Sequence, residues 1–311
     1  MSKLSIILLS YQSSQKLIPA YKHISLHLEK AHIPFEVIIV DDGSKDNSFQ
    51  IAQQLENEDT RVMAIQLAKN YTSPYAQFAG LEVCMGSCAS PMPDDFQRPI
   101  EHVIEMYRQW EKGNKIIIGY RKKRDDGWLS DIFSNLYYGL MNKTSGTTFP
   151  KGGSDGYLID REIINLLNKG SKKNTTPTIE LLNIGYNPVL LGYDRPIKQG
   201  KSRWTYKKRI NLAMDTFFSG SKVPLRFISF VGIFMFLASF VLIVAIVLSK
   251  LFSDNTLFGL PIQGWATLVV LIALFNGFLL LSIGIVSEYL WRMYEELKGR
   301  PPYIIKSRKD E

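Results

Sequence analysis

The chain has 311 residues, 46% of them hydrophobic and 21% charged, with 37 Lys+Arg against 29 Asp+Glu and a formal net charge of +8. This composition excludes a disordered chain and a collagen, and 2 cysteines exclude a disulfide scaffold. The length suits one large or two ordinary domains, and the two parts differ: residues 1–225 are polar and mixed, whereas 227–287 hold almost no charge.

Leu4 to Leu9 is a short apolar run. It is too short for the core of a signal peptide and reads as a buried strand. Leu17, Tyr21, Ile24 and Leu28 then recur at helical spacing. Phe35 to Val40 is a second strand and ends at Asp41-Asp42-Gly43-Ser44, after which Asp46 or Asn47 can cap a helix through Leu55. Val62 to Leu67 is a third strand, followed by a helix near Pro74–Met85. Cys84 and Cys88 read as two small core residues, four apart on one helix. Cys88 to Met92 makes a poor strand because of its prolines. Lys115 to Tyr120 is a later strand. Strands separated by helices of this length predict βαβ units and a parallel sheet. Ligands of such sheets bind outside the carboxyl ends of the strands, so Asp41, Asp42 and Asp95 are expected to share one crevice.

Residues 227–249 and 262–287 are each long and apolar enough to span a bilayer. Lys207, Lys208, Arg209, Lys222 and Arg226 precede them, and Arg292, Lys298, Arg300, Lys306, Arg308 and Lys309 follow. This distribution places both ends of the chain in the cytoplasm. Between them and the first 204 residues, Ile210, Ala213, Met214, Phe217 and Phe218 share one helical face, which suits an interfacial helix or an ordinary surface helix. The expected division is 1–204, a cytoplasmic catalytic domain; 205–226, a juxtamembrane segment; 227–290, two spans; and 291–311, a basic cytoplasmic tail.

Two acidic segments carry the chemistry. Val40 to Ser48 follows a strand, and by itself it suits either an acidic turn or a binding site. Pro93-Asp94-Asp95-Phe96-Gln97-Arg98-Pro99 is the second. Adjacent carboxylates at a strand end repel each other and call for a cation, and Mg²⁺ suits carboxylate oxygens together with substrate phosphates. Gly200-Lys201-Ser202 is not a P-loop, because Arg195 stands where the earlier glycine would be. No nucleic-acid reader motif accompanies the positive charge.

In order, Phe35–Ser48 resembles the segment EVIxVDDGSxDxS, and Asn70-Tyr71 with Ala79-Gly80-Leu81 resembles NFG…AGL. Asp95-Phe96-Gln97 with Pro99 and Glu101 resembles the second half of DADLQDPPE. Gly119-Tyr120-Arg121 resembles GxR, Asp155 to Arg161 resembles DFRLMDR, and Arg195 with Gly200 to Trp204 resembles R…GxSKW. These segments belong to the inverting GT-A glycosyltransferases of family 2, specifically the polyprenyl-phosphate sugar transferases of the dolichol-phosphate mannose synthase and bactoprenol glucosyltransferase type. The resemblance covers essentially the whole chain. It departs in three places: Pro93 stands for the first metal-site aspartate, the strand before it carries prolines, and Ser10-Tyr11-Gln12-Ser13-Ser14 lacks the Pro and Glu of PxYNE.

The resemblance implies an α/β fold, a GT-A domain with a Rossmann-like, mostly parallel sheet, followed by two transmembrane helices. It implies transfer of a sugar from a nucleotide-sugar donor, UDP-glucose or a related UDP-sugar, to polyprenyl (undecaprenyl) phosphate, with Mg²⁺ or Mn²⁺ as cofactor. The implied roles are Asp95 and Asp155 in catalysis and Asp95 and Gln97 on the metal. Tyr11, Asp41, Asp42, Gly43, Ser44, Asn70 and Asp94 fall to the nucleotide sugar, and Arg121, Arg195, Lys201 and Arg203 to the acceptor and diphosphate. A homo-oligomer, a tetramer, and a multi-pass place in the cytoplasmic membrane follow in the same way. The alternative, motivated by Pro93, is a catalytically degenerate paralogue that binds nucleotide sugar or lipid phosphate as a partner of another glycosyltransferase or a flippase.

Overall fold

The computed structural model describes residues 2–95, 97–121, 154–170, 173, 175–194, 256–257, 260–261 and 264–307, with isolated helical positions between 228 and 248. The chain forms two compact units. One comprises Met1–Gly220 with Arg300–Glu311, the other Ser221–Gly299.

The first unit is built on β1 (Leu4–Ser10), β2 (Phe35–Asp41), β3 (Val62–Leu67), β4 (Cys88–Pro93), β5 (Ile116–Arg121), β6 (Tyr157–Asp160) and β7 (Val189–Tyr193). Its helices are α1 (Leu17–Lys30), α2 (Ser48–Glu58), α3 (Ser73–Val83), α4 (Ile100–Glu111), α5 (Arg161–Lys169) and α6 (Pro177–Asn183). The sheet runs β3-β2-β1-β4-β6-β5-β7, with a further strand β10 (Ile305–Ser307) outside β3. β3, β2, β1 and β4 are mutually parallel, β6 runs antiparallel to both β4 and β5, and β7 is parallel to β5. The sheet is therefore mixed and mostly parallel.

Alternation along each strand sends side chains to both faces, and both faces are covered. Ile6, Leu8, Val37 and Ile39 pack with Leu17, Ile24 and Leu28 of α1, Ala52 of α2 and Val103 of α4. Ile7, Ile38, Val40 and Ile65 pack on the other face with Phe78 and Leu81 of α3, Ile163 of α5 and Leu181 of α6. Strands buried on both faces read as unbroken apolar runs, which is why Leu4 to Leu9 and Phe35 to Val40 were legible.

Two readings are corrected. Cys88 to Pro93 is a strand, in the middle of the sheet, despite Pro91 and Pro93. β6 pairs with β4 only at Cys88 and Ala89, so both prolines lie past the last registered pair on that flank, where a missing N–H forfeits no pairing. The two cysteines do not share a helix: Cys84 is the residue after α3 and Cys88 opens β4, and both are free and buried.

The second unit contains the short hairpin β8 (Thr256–Leu257) and β9 (Leu260–Pro261) and the long helix α7 (Gly264–Leu297). Among the described residues one helix is long and apolar enough to cross a membrane, Leu274–Tyr294 within α7. The expected first span, 227–249, and the expected interfacial helix lie wholly or largely outside the described residues. After α7 the chain rejoins the first unit. β10 pairs antiparallel with β3, Ala68 donates its N–H to the carbonyl of Ile304 at 2.9 Å, and the buried Tyr303 bonds Glu82 of α3 through its hydroxyl.

Candidate functional site

The rim formed by the carboxyl ends of the parallel strands gathers the polar residues of the sheet. Ser10 is registered with Asp41, and Leu9 with Pro93. Neighbouring strands lie about 4.8 Å apart, so Asp41 and the turn after Pro93, on either side of β1, stand about 10 Å apart. β6 runs the other way, and its amino end lies at the same rim. Continuing its register from Cys88–Asp160 puts Asp155 level with Pro93. Arg121 and Tyr193 are registered with each other at the ends of β5 and β7.

Asp41 is fully buried. Its Oδ2 accepts the Ser44 N–H and the Gln66 side-chain amide, both at 3.1 Å. Its Oδ1 has no hydrogen-bond partner among the described residues. A buried carboxylate oxygen without a donor is costly and marks a place for a ligand N–H or O–H.

Asp42 is engaged differently. Its two oxygens accept the backbone N–H groups of Tyr71, at 2.7 Å, and Thr72, at 2.9 Å. Thr72 has φ +79°, a conformation that a β-branched residue rarely adopts. Asp42 thus holds the strained turn that carries Asn70 into α3. Burial, with Asp41 alongside, raises its pKa to about 6 even though the two N–H groups pull it down. Gly43 has φ +66°, and a Cβ there would overlap the backbone of Lys69. Glycine is required because the acidic turn packs directly on the Lys69–Asn70 backbone.

The loop after β1 is tied to the same turn. Gln12, at φ +50°, donates its N–H to Ser44 Oγ at 2.9 Å, and Ser13 donates to Ser48 Oγ at 2.8 Å. Ser14 donates to Asp46 at 3.3 Å, and Asp46 also caps α2 through the Ser48 N–H at 3.2 Å. Tyr11 begins this loop, and its carbonyl accepts the Ser13 hydroxyl at 3.1 Å. Tyr11, Asp41, Asp42, Gly43, Ser44 and Asn70 are therefore brought together in one cradle.

Across β1, Asp94 is buried and Asp95 exposed in the turn after β4, where Asp95 Oδ1 accepts the Gln97 N–H at 3.2 Å. Among the described residues no group of three or more His, Cys, Asp or Glu side chains forms a metal cage. Asp95 and Gln97 offer a carboxylate and an amide oxygen from one turn. That suits a hard cation shared with substrate phosphates and water, the usual manner of Mg²⁺.

Asp155 Oδ2 accepts Arg121 Nε–H at 2.5 Å and the Tyr193 hydroxyl. Burial alone would raise the Asp155 pKa, but Arg121, Tyr193 and the charge of Arg98 hold it below the usual carboxylate range. Burial and the same carboxylate push the Tyr193 hydroxyl well above its ordinary value. Tyr193 lies against the ring of His102, with centroids 4.5 Å apart. Neither Tyr193 nor Arg98 was singled out in the sequence. Tyr193 comes next to Asp155 only through the β5–β7 pairing, and Arg98 carries no local signal beyond being a charge in a turn. Arg195, Lys201 and Arg203 lie outside the described residues.

Residues 5–166 match the family model described as glycosyl transferase family 2. The bactoprenol glucosyl transferase of Shigella phage SfX is 29% identical over 309 residues, covering 99% of this chain and 100% of its own. The glycosyltransferase sll0501 of Synechocystis is 28% identical over 305 residues, covering 97% and 94%. Among solved structures, glucosyl-3-phosphoglycerate synthase from Mycobacterium tuberculosis aligns with 68% of this chain and 76% of its own, at 15% identity and a TM-score of 0.46.

Proposed function

This chain belongs to glycosyl transferase family 2, and on that premise we propose that it moves a sugar from a nucleotide-sugar donor to polyprenyl phosphate, with inversion at the anomeric carbon. The observation that carries the reading is the end-to-end correspondence with a bactoprenol glucosyl transferase, which takes in the rim and the apolar C-terminal segment together. The donor we assign is UDP-glucose or a related UDP-sugar.

In this reading the cradle of Tyr11, Asp41, Gly43, Ser44 and Asn70 receives the nucleoside. Asp41 Oδ1 accepts a hydrogen bond from it, and Asp42 keeps the Asn70–Thr72 turn in shape. Asp94 borders the sugar and diphosphate. Asp95 and Gln97 hold Mg²⁺ or Mn²⁺, which when bound offsets diphosphate charge and stabilises the leaving group. A phosphate oxygen of the lipid attacks the anomeric carbon on the face opposite the diphosphate. The new C–O bond forms as the old one breaks, and its electron pair leaves on the nucleoside diphosphate. The acceptor is already anionic, so catalysis consists of alignment and of screening one phosphate from another. Arg121, held by Asp155, and Arg195, Lys201 and Arg203 serve that screening.

The membrane reading gains support from β10. Ile305–Ser307 belongs to the same sheet as β3, so a chain that crosses at 274–294 must also cross between 221 and 263. Two spans meet that condition, and the flanking Lys and Arg residues put the catalytic unit and both termini in the cytoplasm.

The test is direct. Purified full-length protein, undecaprenyl phosphate, Mg²⁺ or Mn²⁺ and a panel of radiolabelled UDP-, GDP- and dTDP-sugars should yield a labelled lipid with at least one donor. No labelled lipid with any of them refutes transfer. Pro93 favours a second reading, a non-catalytic partner of another transferase. Asp95→Asn separates the two, because an enzyme loses turnover while a partner keeps its cellular phenotype.

A further inference from the structure

Arg98 lies in the turn between β4 and α4 and is only 4% exposed. Its nearest hydrogen-bond partner is Ser90 Oγ, at 3.5 Å from Nη2, and its Nε has no partner among the described residues. Ser90 Oγ in turn donates to the Tyr157 carbonyl at 2.7 Å. Gly156, at φ +95°, makes room for the guanidinium, since a Cβ there would fall inside Nη1. A buried guanidinium so sparsely bonded is expensive and does not earn its place by stability. It lies beside Gly156, next in sequence to Asp155, whose carboxylate already serves Arg121 and Tyr193. Arg98 and Arg121 bring two positive charges to the one negative charge of Asp155, so the cluster carries one in excess.

We propose that Arg98 is a positioning residue: a fixed internal cation that, with Asp155, holds Arg121 at the rim and makes the cluster a built-in subsite for a phosphate group. The recognised chemistry is a phosphate dianion, from the donor diphosphate or from the lipid phosphate. Arg98 itself is too deeply buried to touch it. Its charge lets Asp155 pair with Arg121 while the cluster still attracts an anion, and Arg121 presents the rest of its fork outward. A guanidinium stays protonated when buried, and the carboxylate of Asp155 favours a charged side chain at this position, lysine included. Burial lowers the Arg98 pKa, and the neighbouring Asp155 offsets part of that.

The inference rests on reading the rim as a glycosyl-transfer site, so its test includes a measurement that needs no turnover. Full-length protein in detergent is melted with and without inorganic pyrophosphate in EDTA, as wild type, Arg98→Gln and Arg98→Lys. Wild type and Arg98→Lys should be stabilised by pyrophosphate and Arg98→Gln should not. In turnover, Arg98→Gln should raise KM about tenfold for the phosphate bound there, with a smaller change in kcat, and Arg98→Lys should restore most of it. Whether KM for the nucleotide sugar or for the lipid phosphate moves tells which phosphate uses the subsite. Equal stabilisation of wild type and Arg98→Gln, or none in wild type, overturns the inference. If the Gln variant does not fold, a folded Lys variant that pyrophosphate fails to stabilise overturns it, and one that it stabilises supports it. A wild type that melts as expected but transfers no sugar counts against the transfer reading alone.

Discussion

Arg121 and Tyr193 occupy registered positions on β5 and β7 and close on the same oxygen, Oδ2 of Asp155. The strand pairing itself assembles the triad. Asp155 reaches it because β6 enters the sheet in the reverse direction and starts at the rim.

Asp155→Asn should therefore do more than remove a carboxylate. It leaves Arg121 and Arg98 without their counter-charge, and a shift of about 1 Å in a positioning group can cost on the order of 100-fold. We expect a drop of that order in kcat/KM and a lower melting temperature, read by steady-state kinetics and a thermal melt. Wild-type kinetics in a folded variant would remove Asp155 from the site.

Asp41→Asn should act on donor binding. The amide keeps its oxygen toward the Ser44 N–H and the Gln66 amide, and so turns N–H donors to the place of Oδ1, where the ligand also donates. The expected result is a rise of about tenfold or more in KM for the nucleotide sugar, with weaker UDP binding by calorimetry. An unaltered UDP affinity would mean that Oδ1 faces no ligand.

Asp42 links the acidic turn to pH. Its folded pKa, about 6, lies above its ordinary value of 3.8. Between these values the folded protein binds more protons than the unfolded one, so this residue's contribution to stability falls as pH rises from about 4 to about 6 and stays low above that. Wild type compared with Asp42→Asn, melted at pH 5 and pH 7, should gain on the variant at the lower pH. A constant difference contradicts the assignment.

Gly43→Ala places a methyl group into the Lys69 backbone at a positive φ. A loss of about 1–3 kcal/mol in stability is expected, together with weaker nucleotide binding, since the Asn70 turn must shift. Melting with and without UDP separates the two effects.

Lys306 is an exposed position of β10, whereas both native cysteines are buried. Lys306→Cys should react with a membrane-impermeant maleimide in inside-out vesicles and not in intact cells. Labelling in intact cells would put the sheet on the wrong side of the membrane for a cytoplasmic donor.

The parallel half of the sheet was legible because strands buried on both faces are unbroken apolar runs, as in Leu4 to Leu9. The acidic turn was legible because Asp41-Asp42-Gly43-Ser44 follows such a run. β4 was misjudged because proline counts against a strand only where both flanks are paired, and the one-sided pairing of β4 beyond Ala89 is a tertiary fact. The division of labour between the two adjacent aspartates was equally hidden. Asp41 looks into the rim and Asp42 backward to Tyr71 and Thr72, a difference decided by contacts 29 and 30 residues away. Arg98 was missed for the same reason, since the glycine that admits it, Gly156, lies far along the chain, just before β6.

The pairing of Ile305 with Leu67 bears on synthesis. β3 emerges from the ribosome long before its outer neighbour exists. At elongation rates of about 5–20 residues per second, its edge stays open for on the order of ten seconds or more. During that interval the apolar stretch that includes Leu274–Tyr294 is being made, so in the proposed topology insertion precedes completion of the sheet. A nascent chain stalled between the two events would expose an uncapped strand, a natural substrate for chaperones and quality-control proteases.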